Sequence, residues 1–369
     1  MRVIISGGGT GGHVFPAIAI ADEIKNRIPH AEILFVGAEG KLEMDRVPKA
    51  GYKIIGLPIR GLQRRLTKAN LSFPFRLVKS MIKARKIVKD FKPDLAIGVG
   101  GYASGPVLQM ATAAGVKTII QEQNSYPGIT NKILAKKVDK ICVAYYEMDK
   151  FFPKEKIVFT GNPVRRQIFE NDITASGAKT KLGLVENKKT ILIFGGSLGA
   201  RALNESIVAG VEKLSQHPEI NIVWQVGKLY YSDYKNSIIA KEPNVTVLPF
   251  IEDMASAYRA ADLVVCRAGA LTISELSLVV KAAILVPSPN VAEDHQTKNA
   301  MALVKKGAAL LVKDIEGKEK LVDMMIKVIK NEKQRVQICE NLTQFGKPNA
   351  AKEIVDIAQD LITKNVEVA

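Results

Sequence analysis

Residues 6–16 read SGGGTGGHVFP, five glycines around Thr10 followed at once by His13. Glycine lets a backbone approach a ligand closely, and N–H groups at a helix N-terminus favour phosphate or an electron-rich sugar oxygen. Gly7, Gly9 and Gly12 satisfy G-x-G-x-x-G, the dinucleotide fingerprint when it joins a strand to a helix. That fingerprint also needs an acid closing the second strand to hold ribose. Here the strand closes on Phe35-Val36-Gly37 and Glu39 comes late, which counts against NAD. GGSLGAR, residues 195–201, repeats the device and adds the Ser197 hydroxyl. Either loop alone reads equally as a tight strand–helix turn.

CRAGALTISE, residues 266–275, has two readings. Thr272 and Glu275 fit a T-x-x-E capping box. Alternatively the N–H groups of Ala270, Leu271 and Thr272 meet a diphosphate while Glu275 grips ribose hydroxyls. Further on, PSPNVAEDHQTKNA places Asp294, His295 and Gln296 just after a strand, where hydrogen bonds to a sugar are expected.

The elements that must hold these loops alternate in type. RVIIS ends at the first glycine loop, and the following helix carries Ile18, Ala21, Ile24 and Ile28 on one face. EILFVG, YKIIGL, DLAIGVGG, KTIIQEQ, KICVAY and KIVFTG continue the series with helical stretches between them. Apolar strands alternating with helices imply a parallel sheet covered on both faces. A lysine-rich stretch, NDITASGAKTKLGLVENKKT, reads as a separator before a second series: TILIFGG, INIVWQVG, VTVLPF, DLVVCRAG, AAILVPS and GAALLV. At 369 residues two domains are the default. The expected division is 1–163 and 164–345, with a terminal amphipathic helix at 346–369 packing back on the first. Ligands in such sheets bind at the carboxyl ends of the strands, where the unusual residues fall.

Composition bounds the class. The chain is 47% hydrophobic and 24% charged, which excludes a disordered protein. Its three cysteines, Cys142, Cys266 and Cys339, are widely spaced and read as free thiols. MRVIISGG runs straight into a strand and turn, so no signal peptide is expected. Residues 95–116 carry no charge, yet Gly98, Gly100, Gly101, Gly105 and Pro106 would break a spanning helix.

The net charge of +16 points to a polyanion or an anionic surface. The cations concentrate in segment 60–92, where only Asp90 is acidic. Within it, residues 71–87 interleave Leu71, Phe73, Phe75, Leu77, Met81 and Ile82 with lysines and arginines. A solvated helical face is one reading; an interfacial patch on anionic lipid is the other. Nucleic acid is not expected as a partner, because aromatics are few and no recognition motif appears.

Taken together, GGTGGHVFPA, GGYASGP, QEQN, GNPVR, FGGSLGA, FIEDMA, CRAGALTISE and EDHQTKNA resemble the MurG family of N-acetylglucosaminyltransferases, in order along nearly the whole chain. The resemblance implies a GT-B fold, two Rossmann-like α/β domains facing an interdomain cleft. It implies UDP-GlcNAc as donor, lipid I as acceptor and a peripheral position on the cytoplasmic membrane face. Thr10, Gly11, Gly12, Asn124, Arg165, Ser197, Ile251, Ala270, Leu271, Thr272, Glu275 and Gln296 match family positions that bind UDP-GlcNAc, with Ile251 offering its backbone to uracil. Tyr102, in GGYASGP, joins the expected substrate-binding set. One departure is Val280-Lys281-Ala282, where glycine, lysine and proline are expected.

Such a transfer displaces UDP from the anomeric carbon with inversion, and it needs a base. A histidine in the first turn of a helix is disfavoured as imidazolium and so can accept a proton. His13 is the expected base, with Glu122 its rival and a purely loop-shaping His13 the alternative. No D-x-D occurs in the chain, so no obligatory metal or other cofactor is expected. Helix N-termini, Ser197 and Arg165 would instead stabilise the departing diphosphate.

Overall fold

The strands are mostly apolar because the central ones are buried on both faces of each sheet, and their polar residues fall chiefly at the strand ends. The structure, a computed structural model, describes residues 1–61, 72–291 and 294–366. The expected β-runs form β1 (Arg2–Ser6), β2 (Glu32–Ala38), β3 (Lys53–Leu57), β4 (Leu95–Gly98), β5 (Lys117–Glu122), β6 (Lys140–Val143) and β7 (Ile157–Phe159). The second series forms β8 (Lys189–Phe194), β9 (Ile220–Gln225), β10 (Val245–Leu248), β11 (Leu263–Cys266), β12 (Ala283–Leu285) and β13 (Leu310–Leu311). All pairings are parallel, in the orders β3-β2-β1-β4-β5-β6-β7 and β10-β9-β8-β11-β12-β13.

Side chains alternate between the two faces with the period of two that a strand imposes. Val3 and Ile5 of β1 enter one core cluster and Ile4 the other. Leu95 and Ile97 of β4 likewise part from Ala96. One cluster is closed by the helix Gly11–Arg27 and the helix Ala350–Val366, the other by the helices Phe73–Phe91 and Ser104–Ala113. Aspartates just before strands repeat one device: Asp94, Asp139 and Asp262 accept the N–H of Arg2, Thr118 and Thr190, at 2.7, 2.8 and 2.8 Å.

The chain divides into two compact units, Met1–Arg165 joined by the terminal helix, and Arg166–Gly346. The sequence places Arg165 in the second domain; the structure places it in the first, over the Phe15 ring at 4.3 Å. The terminal helix is held to the helix Gly11–Arg27 by Ile354, Val355 and Ala358 in the core and by Arg27, which pairs with Asp356 and donates to the Lys352 carbonyl at 3.2 Å. The lysine-rich separator is not a plain linker. It contains a helix, Ala175–Lys181, capped by the Thr174 hydroxyl, which accepts the Gly177 N–H at 3.0 Å.

Val280 explains the missing glycine. It ends the helix Ala270–Val279 with φ 51° and ψ 57°, a left-handed conformation that costs an L-residue about 1–2 kcal/mol. Val280→Gly relieves that strain, partly offset by glycine's greater unfolded-state entropy. It is expected to raise stability by about 0.5–1 kcal/mol in urea unfolding. A loss of stability instead would mean that packing of the half-buried valine outweighs the strain.

Candidate functional site

Each sheet reverses its strand order at one place, between β1 and β4 in the first unit and between β8 and β11 in the second. There the loops leaving adjacent strands run in opposite directions and open a crevice at the carboxyl ends.

In the first unit the loops after β1 and β4 meet there. Gly100 and Gly101 both have left-handed φ, 88° and 83°. A Cβ on Gly101 would lie 2.5 Å from the Gly8 carbonyl oxygen, and one on Gly100 would lie 2.9 Å from the His13 ring. The two turns therefore approach closely only as glycine, and the His13 imidazole rests over the second. Thr10 precedes the helix in extended conformation and its hydroxyl lies 3.3 Å from His13 Nδ1. Thr10 and Gly12 are exposed, Gly11 is buried and His13 is half-buried.

Beneath them, QEQN is a buried polar network. Gln123 donates to the Val99 carbonyl at 2.9 Å, Gln121 donates to Asn162 at 3.0 Å, and Asn162 donates to the Gln123 carbonyl at 3.1 Å. Glu122 is 2% exposed. Its carboxylate accepts from the Asn124 N–H (3.0 Å) and amide (3.2 Å), the Gly128 N–H (3.0 Å) and the Asn131 amide (2.9 Å). Burial pushes its pKa up, against those four hydrogen bonds. This carboxylate fastens the loop 124–131, with Asn124 at its start. Tyr102 is 46% exposed and its ring lies against Gly61.

In the second unit the glycine loop after β8 leads into the helix Arg201–Ala209. Gly199 has φ 79°, and a Cβ there would lie 2.2 Å from the Val226 carbonyl oxygen, so this loop too is packed backbone on backbone. Gln225, buried at the end of β9, donates to the Gly196 carbonyl at 3.1 Å. Ser197 is half-buried in the same loop.

The helix Ala270–Val279 is preceded by Gly269 as its cap, with no side-chain capping bond. Thr272 therefore lies inside the first turn, and the T-x-x-E box does not form. Ala270 and Leu271 are buried, and the Tyr258 hydroxyl donates to Glu275 at 2.9 Å, orienting a carboxylate only 8% exposed. Ile251 is buried just ahead of the helix Met254–Ala260. Gln296 accepts the Ser288 N–H at 2.9 Å, which ties the segment after β12 to the helix His295–Val304.

Sequence reasoning passed over three fixing residues. Glu43 is 1% exposed and accepts the N–H groups of Gly9 and Ala38, each at 2.8 Å. Arg267 pairs with Asp314 at 2.5 Å while donating to the Val286 carbonyl at 3.0 Å. Asn204 accepts the Trp224 indole N–H at 3.1 Å and donates to the Val226 carbonyl at 2.9 Å. Arg267, a lone charge after an apolar strand, carried a local signal. Glu43 and Asn204 sit among other polar residues, and their partners Gly9, Trp224 and Val226 are distant in sequence.

Asp253 caps the helix that follows Ile251, accepting from the Ser256 N–H at 3.0 Å and from Lys181 at 2.5 Å. Burial raises its pKa, but Lys181 and Ser256 outweigh that and bring it to about 2. A depressed folded-state pKa stabilises above the unfolded value, and that contribution disappears as pH falls through the folded one. Asp253→Ala is expected to cost about 1 kcal/mol at neutral pH. The difference from the parent should shrink between about pH 4 and pH 2 in denaturant titrations; a difference constant across that range would deny the charge its role.

Comparison with known proteins gives the family. Residues 3–143 match the glycosyltransferase family 28 N-terminal domain and residues 190–356 its C-terminal domain. A Bacteroides fragilis protein named UDP-N-acetylglucosamine--N-acetylmuramyl-(pentapeptide) pyrophosphoryl-undecaprenol N-acetylglucosamine transferase is 52% identical, covering 97% of this chain and 96% of its own. The Cytophaga hutchinsonii protein of the same name is 53% identical, covering 98% and 97%. Among solved structures, Acinetobacter baumannii MurG matches with TM-score 0.73 at 30% identity, covering 97% of this chain and 99% of that one. A Neisseria meningitidis UDP-GlcNAc 2-epimerase shares the fold, with TM-score 0.70 at 15% identity, covering 98% and 100%. With two parallel-sheet units of the GT-B type and both family domains matched in order, the chain belongs to glycosyltransferase family 28, in its MurG group.

Proposed function

We infer that the chain transfers N-acetylglucosamine from UDP-GlcNAc to the MurNAc 4-hydroxyl of undecaprenyl-pyrophosphoryl-MurNAc-pentapeptide (lipid I), forming lipid II and UDP in peptidoglycan synthesis. The observation that carries this reading is identity above one half, over nearly the full length, with relatives that bear that transferase name. An epimerase acting on UDP-GlcNAc shares only the fold.

In the proposed mechanism His13 takes the proton of the acceptor hydroxyl as its oxygen attacks the anomeric carbon. The bond to UDP breaks with its electron pair leaving on the diphosphate, and the configuration inverts. His13 suits this role better than Glu122, because its ring is half-exposed beside Thr10 whereas the Glu122 carboxylate is buried under four donors. Both oxygens of Glu122 are engaged in holding the loop.

The departing diphosphate would be met by the N-terminus of the helix Ala270–Val279, whose first turn has no acid, and by the Ser197 loop. Glu275 would hold ribose and Ile251 the uracil, with Gln296 and Asn124 on the sugar. Thr10, Gly11, Gly12, Tyr102 and Arg165 belong to the first unit. In this scheme Arg165 adds positive charge for the departing diphosphate, Thr10, Gly11 and Gly12 stay with the UDP-GlcNAc set, and the loop that carries them also presents His13 to the acceptor. Preorganised donors of this kind can carry the charge without a metal, and we propose that none is obligatory.

Among the described residues no helix is long and apolar enough to cross a membrane. A peripheral patch on the cytoplasmic membrane face fits the helix Phe73–Phe91. Phe75, Val78 and Ile82 are 80%, 59% and 66% exposed, beside exposed Lys79, Arg85, Lys86 and Lys89. Of the apolar residues expected there, Leu77 instead packs against the core, Phe73 and Met81 are half-buried, and Leu71 lies outside the described residues. So do Arg64, Arg65 and Lys68 of segment 60–92.

Two experiments test these readings. UDP release from UDP-GlcNAc in excess chelator should require a lipid I analogue, and His13→Ala should lower it by about 10²–10⁴-fold. Strict Mg²⁺ dependence would sink the metal-free mechanism, a loss under tenfold would remove His13 as base, and UDP-ManNAc formed without acceptor would favour the epimerase. Sedimentation with vesicles should favour anionic over neutral lipid, each cation contributing about 1 kcal/mol. A Phe75→Ser, Ile82→Ser double variant should weaken it at least tenfold; equal binding to both vesicles would refute the patch.

A further inference from the structure

The first glycine loop looks open to an anion, but the protein already places one there. The Glu43 carboxylate, from the helix Glu43–Lys49, lies under the loop and accepts the Gly9 N–H through one oxygen and the Ala38 N–H through the other, both at 2.8 Å. Its space is made by two glycines. A Cβ on Gly8 would lie 2.1 Å from the carboxyl carbon, and one on Gly37 would lie 2.4 Å from the Glu43 Cγ. The chain thus removes two side chains, at the ends of β1 and β2, to seat one buried carboxylate.

The clamp continues to the ring above. Gly8, next to the clamped Gly9, packs against Gly101, and the neighbouring Gly100 lies under His13. The Thr10 carbonyl accepts the backbone N–H of His13 at 3.1 Å, so the loop that Glu43 holds is also the start of the His13 helix. A carboxylate already bonded to Gly9 repels a second anion from that N–H.

We propose that Glu43 is a positioning residue for the transfer: it acts through the Gly8–Gly9 backbone to hold His13 at the acceptor hydroxyl. This rests on the reading of His13 as the base. Glu43→Gln retains the shape but turns an amide NH₂ toward one of the two backbone N–H groups. Glu43→Asp keeps the charge and shortens the reach, and it carries the test if the glutamine variant fails to fold.

The assay is acceptor-dependent UDP release by the full-length chain, with thermal stability followed in parallel. Glu43→Gln should lower kcat by about 10–10²-fold, as misplacement near 1 Å does. KM for UDP-GlcNAc should stay within about twofold, since Ile251, Glu275 and the Ser197 loop, the groups proposed for uracil, ribose and diphosphate, lie in the other unit, and Glu43→Asp should fall between parent and Gln. In a His13→Ala background, Glu43→Gln should cost less than about threefold more, because residues acting through one another are not additive. Losses that multiply, or a kcat loss matched by a KM rise, would overturn the proposal. The two possible failures are distinguishable. A silent Glu43→Gln beside a crippled His13→Ala overturns the proposal alone, whereas a silent His13→Ala overturns the base assignment and with it the route through His13.

Discussion

An all-parallel sheet puts every strand's carboxyl end on one edge, and this constraint governs the rest of the molecule. Parallel strands cannot be joined by tight hairpins, so each connection crosses a face and returns. The helices that make those crossings bury both faces of the sheet. At the reversals between β1 and β4 and between β8 and β11 the crossings diverge. Residues distant in sequence, such as Gly8 and Gly101, are brought together by that divergence.

Around each reversal the packing is unusually close, backbone against backbone, and polar groups under the loops hold it. Glu43 and Gln123 work in the first unit, Gln225 and Asn204 in the second. Each is buried and bonded to main-chain groups of the loops. A buried carboxylate or amide with its partners in place fixes geometry, since losing a partner leaves an unsatisfied polar group in a low dielectric. The loops are therefore built parts of the core edge, and the exposed side chains they carry are the groups left to face a ligand.

The architecture was legible because it follows from periodicity. Apolar runs of four to seven residues, glycine turns after them and amphipathic stretches between are local signals, and every expected β-run is a strand. The loops were legible for the same reason, as glycine clusters mark where a backbone must turn or approach closely. Thr272 and Glu275 show the limit. Their spacing fits a capping box, yet the helix begins at Ala270 and the box never forms. The basic helix shows another: its composition marks it as unusual, but which apolar residues face out depends on where it docks. Val78 emerges and Leu77 turns inward.

Residue types and their spacing decided the fold class, the two-fold recurrence of the glycine device and the family, because strand and helix periods and turn chemistry are written within a few neighbouring residues. Tertiary structure alone decided that Glu122 is a buried loop fastener, that Arg165 stacks on Phe15 in the first unit, and that Glu43 sits beneath the first glycine loop. Glu43 reaches Gly9 across 34 residues of chain. A side chain's burial and partners are set by which elements the packing brings together, and no local pattern encodes that.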